Sequence, residues 1–350
     1  MITLFQTEAE RQSKLPMIFG YAISIACLIW VLHDFHVVRA LRDMANVDWK
    51  WVLVGMGFDI LSYAVQGIRW KLLLSPFGKV RTTRAIRSVY AGMFANLVFP
   101  LRPGEFLRGY LLSNSEGISL GRVLGSVGVE RLIDLVIATA SLAIASLYVH
   151  DLPPRFRKIA DTMSIGTLVF LGIVVLLIFL LELKFGDAPE PNAASRRIVG
   201  KGWAALSALH AMGTAPSFYP AVLTSILMPF CQLLALWSMM KSYGLPLSFG
   251  AAVVVLLVIN LGVSLPNAPA NVGAYQFFCV LGLGVFNVEK TRATGFSIFA
   301  FLALTIPFIF VGFAALVRSG LSMSSLRESV VHRPGQSGQP GQSAAPALRP

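Results

Sequence analysis

The sequence predicts an all-α, polytopic membrane protein, and three observations carry that prediction. Hydrophobic residues make up 55% of the chain and charged residues only 13%, with a mean hydropathy of +0.70. The apolar residues fall in long runs, as a bilayer requires, because its ~30 Å hydrocarbon core takes about 20 apolar residues to cross as a helix. The basic residues behind the formal net charge of +12 sit at the ends of those runs. That placement is a topology signal, with anionic lipid as the nearest partner, and not the continuous basic stripe of a nucleic-acid binder.

Six runs are each long enough to cross: residues 16–35, 51–70, 123–149, 163–183, 218–240 and 296–317. The first has no small-residue cleavage site behind it and reads as a retained helix, not a signal peptide. Two further apolar regions, 85–112 and 251–286, are each cut by a proline pair, Pro100 with Pro103 and Pro266 with Pro269. Proline removes a backbone donor and clashes with the preceding turn, so a helix stops at such a place. Irregular backbone at membrane depth is tolerated only where protein or a watery cavity covers it. These regions are therefore predicted to be two re-entrant helical hairpins in an inverted-repeat arrangement, the pattern that places a binding site between two halves.

The halves run from about 15 to 150 and from about 163 to 320. The linker 184–216 is predicted to lie at the membrane interface, with an amphipathic stretch over 203–210. Residues 321–350, rich in Gly, Pro, Ser, Gln and Ala, cannot bury a core and are predicted to be a disordered cytoplasmic tail.

Arg69, Lys71, Lys79, Arg81, Arg84 and Arg87 follow one another without an intervening acid, which marks a cytoplasmic loop. With two re-entrant hairpins, this places both termini in the cytoplasm and divides Lys and Arg about two to one in favour of that side. The expected location is the cell inner (plasma) membrane.

Soluble chemistry finds no footing. Cys27, Cys231 and Cys279 lie inside apolar runs with no repeated spacing, and the five histidines are scattered through presumed loops and ends. There is no H-E-x-x-H, phosphate-binding loop or G-x-S-x-G motif. No metal, cofactor or catalytic residue is expected, and the protein is not predicted to be an enzyme.

What remains is charge at membrane depth, where each ionised side chain costs at least ~2.5–3.5 kcal/mol and needs a partner or a function. The first broken region supplies Arg102, Glu105 and Arg108, the run 123–149 supplies Glu130, Arg131 and Asp134, and the run 51–70 supplies Asp59. Arg102 and Arg108, beside a restarting helix, suit a phosphate or other anionic headgroup, since guanidinium is planar and bidentate and the helix N-terminus favours an anion. Glu105, Glu130 and Asp134 would orient those arginines or bind an amine, and are also candidates for proton coupling. Arg131, three residues before Asp134, reads as a structural ion pair. The second broken region offers Asn260, Asn267, Asn271, Tyr275 and Gln276 as a neutral cavity wall; Asp59 either joins it or caps a local network.

Three segments, Pro100-Leu101-Arg102-Pro103-Gly104-Glu105-Phe106-Leu107-Arg108, Val129-Glu130-Arg131-Leu132-Ile133-Asp134 and Pro266-Asn267-Ala268-Pro269-Ala270-Asn271-Val272-Gly273, resemble the membrane region of the lysylphosphatidylglycerol synthase and flippase-like family. The resemblance extends over nearly all of residues 15–320 and implies a multi-spanning fold with two re-entrant hairpins, associated with moving lipids or lipid-linked molecules between leaflets. The family's P-x-x-P-G-G-x-G-x-x-E pattern is altered here, with Ala270 and Asn271 in place of glycines and Gln276 at the acidic position. Some relatives carry a soluble aminoacyltransferase or glycosyltransferase domain, and the short tail after Ser319 is not expected to house one.

The leading expectation is thus a flippase that admits an anionic lipid headgroup between the hairpins, driven by a gradient or by a downhill substrate. The alternatives are an integral-membrane enzyme acting on a lipid headgroup and a non-catalytic scaffold for a lipid-biosynthesis enzyme.

Overall fold

A computed structural model describes residues 18–99, 102–148, 211–264 and 267–319, with isolated helical positions between 158 and 173. The described secondary structure is entirely helical: α1 (Ile18–Leu32), α2 (Val37–Ala45), α3 (Trp49–Leu74), α4 (Thr82–Val98), α5 (Gly104–Glu116), α6 (Leu120–Tyr148), α7 (Phe218–Ser242), α8 (Phe249–Val263), α9 (Ala274–Gly284) and α10 (Lys290–Val317). Short 3-10 turns occupy Ser75–Phe77 and Pro269–Asn271.

Among the described residues, α3, α7 and α10 are both long and apolar enough to cross a bilayer, and a fourth span results if α1 and α2 count as one. The chain is therefore a multi-pass membrane protein. At 29 residues α6 has the length to cross, but it carries Arg122, Glu130, Arg131 and Asp134. The sequence predicts one helix through residue 35; α1 instead stops at Leu32, and α2 leaves it at 85°. Asp34 makes the corner with φ of +62°, a left-handed conformation that its short polar side chain tolerates. Most of the run 163–183, the linker from 184 to 210 with its amphipathic stretch, and the tail from 320 lie outside the described residues. At the linker's end Met212 is buried against Leu73, Val129 and Ala221.

α3 is the axis of the described structure. The Asp48 side chain accepts the Lys50 N–H at 2.9 Å and starts the helix, and α7 packs antiparallel along it. The ends of the pair are tied by Asp48 N–H to Ser242 O at 3.0 Å and by Ser75 Oγ to Ser217 Oγ at 2.6 Å. Gly55 makes the approach possible, since a Cβ there would meet the Ala235 carbonyl at 3.0 Å.

Both proline-broken regions reverse direction rather than continuing as kinked helices. α4 and α5, of 17 and 13 residues, fold back on one another so that the start of α4 meets the end of α5. Arg84 donates to Ser115 O at 2.5 Å, and the Arg81 N–H to Glu116 at 3.0 Å. α8 and α9, of 15 and 11 residues, do the same, with Gly262 against the Phe278 ring and Gly282 against Val255. No arm reaches the ~20 residues that a crossing needs.

The two hairpins are rooted at opposite ends of α3. The first begins beside its C-terminal end, where Lys71 donates to Thr82 Oγ1 at 2.9 Å, and the second begins beside Ser242, at its N-terminal end. Their tips meet: Arg102 Nη1 donates to Val263 O at 3.0 Å, and α4 packs on the Pro269–Asn271 turn. That turn also rests on α1, with the Ala268 N–H bonded to Ser24 Oγ at 2.8 Å. Pro100, Leu101, Leu265 and Pro266 lie outside the described residues.

The backbone of the second tip suits glycine at two positions. Ala270 and Asn271 have φ of +56° and +59°, the left-handed region that glycine enters freely and that costs an L-residue roughly 1–2 kcal/mol. Ala270→Gly is therefore expected to stabilise the protein by about 1 kcal/mol, read as a raised unfolding midpoint of the detergent-purified chain. Asn271→Gly should gain less, because asparagine tolerates this conformation.

Candidate functional site

The charged site begins with a cap across the first hairpin. Asn96, in the last turn of α4, accepts the Gly104 N–H at 2.7 Å and so satisfies one of the free donors at the start of α5. The arms touch backbone to backbone there, since a Cβ on Gly104 would lie 1.8 Å from the Gly92 carbonyl oxygen. This contact leaves α5 one seating on α4, and Arg108, one turn further on, faces α3 and α6.

Arg108 is buried, with its guanidinium over the Trp70 ring at 4.8 Å and Nη2 bonded to Glu130 Oε2 at 2.5 Å. Trp70 is held by its Nε1–H to Ser126 Oγ at 2.8 Å, and Ser126 donates in turn to Val123 O. Arg69, completely buried beside Trp70, reaches Glu130 Oε1 at 3.3 Å with Nη2 and Asp134 Oδ1 at 2.5 Å with Nη1. Glu130 thus sits between two arginines with no exposed surface of its own. At the more open end Arg131 pairs with Glu105 at 2.6 Å and with Asp134 at 3.5 Å.

Three arginines and three carboxylates therefore form one charge-neutral chain running α5–α6–α3. Arg69, Arg108 and Glu130 are its buried part, and their mutual pairing with Asp134 offsets the large desolvation cost that each buried charge would carry alone. Hydrogen bonding is not complete: Arg108 Nε and Nη1 and Arg69 Nε are buried without an acceptor among the described residues. Such donors are costly to leave unmet, so they favour any anion oxygen or water that reaches them.

Of the predicted headgroup residues, Glu105, Arg108, Glu130 and Asp134 come together, with Arg131 pairing to Asp134 as expected and to Glu105 besides. Arg102 stands apart at the hairpin tip, with φ of +54°, exposed and bonded to the Val263 carbonyl. The predicted wall residues divide by position. Gln276 is buried and its Oε1 accepts the Gly273 N–H at 2.7 Å, capping α9. Asn267 donates to Val263 O at 3.1 Å, Asn271 and Tyr275 are half-buried beside the tip, and Asn260 is exposed at the end of α8. Asp59 lies ten residues before Arg69 on α3, about 15 Å along the axis and outside the neutral chain.

Arg69 is the member that reading the sequence missed, because it opens a run of basic residues that looks like a loop. A charge count held the signal: Asp59, Glu105, Glu130 and Asp134 face only Arg102, Arg108 and Arg131 at membrane depth, which calls for one more cation.

Apolar spanning helices around a buried ionic chain on a broken helix define an integral membrane protein with a polar interior. Residues 17–312 match the family described as the lysylphosphatidylglycerol synthase TM region, and the chain belongs to that family. It is 23% identical over 275 residues to a UPF0104 membrane protein of Methanothermobacter thermautotrophicus, covering 74% of this chain and 80% of that one. A UPF0104 membrane protein of Methanocaldococcus jannaschii is 26% identical over 243 residues, covering 67% of this chain and 97% of the relative. Glycosyltransferase AglD of Haloferax volcanii is similar over a shorter stretch, 21% identical over 124 residues, which is 35% of this chain and 20% of that protein.

Proposed function

We propose that this protein carries the anionic headgroup of a phosphate-bearing lipid, or of a lipid-linked molecule, between leaflets, while the tail stays in the bilayer. One observation carries the reading: buried guanidinium N–H groups on Arg108 and Arg69 lack acceptors among the described residues, beside a helix that restarts in the middle of an apolar body. A phosphate oxygen is the acceptor such donors suit best. Glu130 and Asp134 hold the two guanidinium groups in place, and Glu105 with Arg131 closes the more open end of the chain. In this reading the two hairpins are re-entrant from opposite faces of an inverted repeat built on six full spans. The termini are cytoplasmic and the membrane is the inner one. The local likeness to a glycosyltransferase supports a partner among enzymes that build lipid-linked molecules.

The test is leaflet exchange of a fluorescent anionic phospholipid in vesicles containing the full chain. Wild type is expected to speed exchange over protein-free vesicles, and Arg108→Lys, which keeps the charge but loses the planar fork, to slow it about tenfold or more at equal folded yield. Chemical conversion of the lipid would instead identify an enzyme acting on the headgroup. Absence of both exchange and conversion would identify a scaffold for a lipid-biosynthesis enzyme.

A further inference from the structure

α2 is nine residues long, about 13 Å, and leaves α1 at 85°. At ~100° per residue its side chains fall into three sectors. Ala40 and Met44 face the protein: Ala40 is buried, and Met44 packs on the core that holds Val31, Val47 and Phe296. Val37, Leu41 and Val38 make the next sector and are 54%, 59% and 74% exposed. Arg42, Arg39 and Asp43 make the third, which lies largely opposite the exposed apolar one. A helix lying flat against a membrane protein has core to one side, lipid below and water above, and these three sectors match that arrangement.

Two independent markers put α2 at the edge of the hydrocarbon. The first is α10, which α2 crosses where its charges end: a Cβ on Gly295 would lie 3.1 Å from Ala40 Cβ, just past Arg292, and no Asp, Glu, Lys or Arg follows up to Val317. Arg39 pairs with Glu289, the residue before α10, at 2.8 Å. The second marker is tryptophan. Trp30, Trp49 and Trp51 are exposed at this end of the molecule, and the Trp51 ring stands 5.9 Å from that of Trp237. The Lys290 ammonium lies 4.5 Å from the Trp30 ring centre and that of Lys241 5.2 Å from Trp237. Indole rings with ammonium groups beside them are the composition of a membrane–water interface.

We infer that α2 is an interfacial helix, embedded by Val37, Val38 and Leu41 in the headgroup–acyl boundary of the leaflet beside the root of the second hairpin, and not the end of a span. The attachment is apolar, because Arg39 is already neutralised by Glu289 and Arg42 shares its sector with Asp43, so anionic lipid is not required. α2 thereby fixes the level of α10, which packs in turn on α4 of the first hairpin. The inference is independent of the lipid-carrying reading.

The experiment places nitroxide labels at single cysteines in the full chain, with Cys27, Cys231 and Cys279 replaced by alanine, reconstituted in vesicles of phosphatidylcholine alone. Power saturation reads collision with oxygen, which partitions into lipid, and with a water-soluble nickel chelate. The labelled positions Val37, Val38, Leu41, Arg42 and Ala45 are all exposed, so the labels leave the packing on α10 intact. Val38→Cys and Leu41→Cys are expected to show an oxygen-to-nickel ratio about tenfold above that of Arg42→Cys, and Val37→Cys and Ala45→Cys to lie at one depth, ~5–10 Å below the headgroups. Equal ratios at Val38→Cys, Leu41→Cys and Arg42→Cys would place the helix in water and overturn the inference. So would shielding of Val38→Cys and Leu41→Cys from both reagents, which would mean that a second copy of the chain covers them. A depth difference of about 12 Å between Val37→Cys and Ala45→Cys, the full rise along the helix, would make α2 part of a span and overturn it equally.

Discussion

Glu130→Ala is expected to destabilise the protein by about 3–5 kcal/mol, enough to remove most folded protein from the membrane. The Glu130 carboxylate has no exposed surface and faces Arg108 at 2.5 Å and Arg69 at 3.3 Å. Without it Arg108 has no counter-charge among the described residues, and Arg69 keeps Asp134 alone among them. An uncompensated buried cation is far costlier than a lost hydrogen bond between neutral groups. Removing the cation together with the acid reverses much of the loss, so Arg108→Met combined with Glu130→Leu should fold better than Glu130→Ala alone. Fluorescence-detected size exclusion after a heat series reads both variants. A Glu130→Ala protein as heat-resistant as wild type would mean that the two arginines find other partners.

The second large effect is at the hairpin crossing. Gly104→Ala places a Cβ 1.8 Å from the Gly92 carbonyl oxygen and 2.6 Å from Asn96 Oδ1, so the arms must part and the cap on α5 must break. Overpacking of this kind costs about 1–3 kcal/mol and a lost cap about 1 more, giving roughly 3 kcal/mol in all. Because the steric partner is backbone, no side-chain rotation relieves it. Gly128→Ala in α6 is the matched control. Nothing lies within 4 Å of a Cβ there, and alanine is the better helix former by about 1 kcal/mol, so that variant should be neutral or more stable. The two substitutions should move the same heat series in opposite directions.

The broken helices were legible because proline acts on local backbone: Pro100 with Pro103 and Pro266 with Pro269 stop a helix whatever surrounds it. That Glu105, Arg108, Glu130 and Asp134 would gather was legible for a similar reason, since buried charge has to find its opposite. Arg69 was not, because its burial comes from α6 folding over the end of α3, a contact between residues more than sixty apart that leaves no local trace. Arg102 was placed with Arg108 on sequence proximity, yet the left-handed backbone at residue 102 turns it toward the other hairpin. The corner at Asp34 was missed because Phe35 was counted with the apolar run, although the polar His33, Asp34 and His36 interrupt it between α1 and α2.

Reversal of the chain at both breaks, with the hairpins rooted at opposite ends of α3, is the feature on which the proposed carrier function depends. Single cysteines at Lys79, Ser119, Pro246 and Asn287, in a chain whose Cys27, Cys231 and Cys279 are replaced by alanine, test it with a membrane-impermeant thiol reagent. All four positions are exposed, and each pair brackets one hairpin. The architecture predicts that Lys79→Cys and Ser119→Cys label from one side of the membrane and Pro246→Cys and Asn287→Cys from the other. Labelling of Lys79→Cys and Ser119→Cys from opposite sides would mean that the first broken region crosses the bilayer, and would contradict the hairpin carrier.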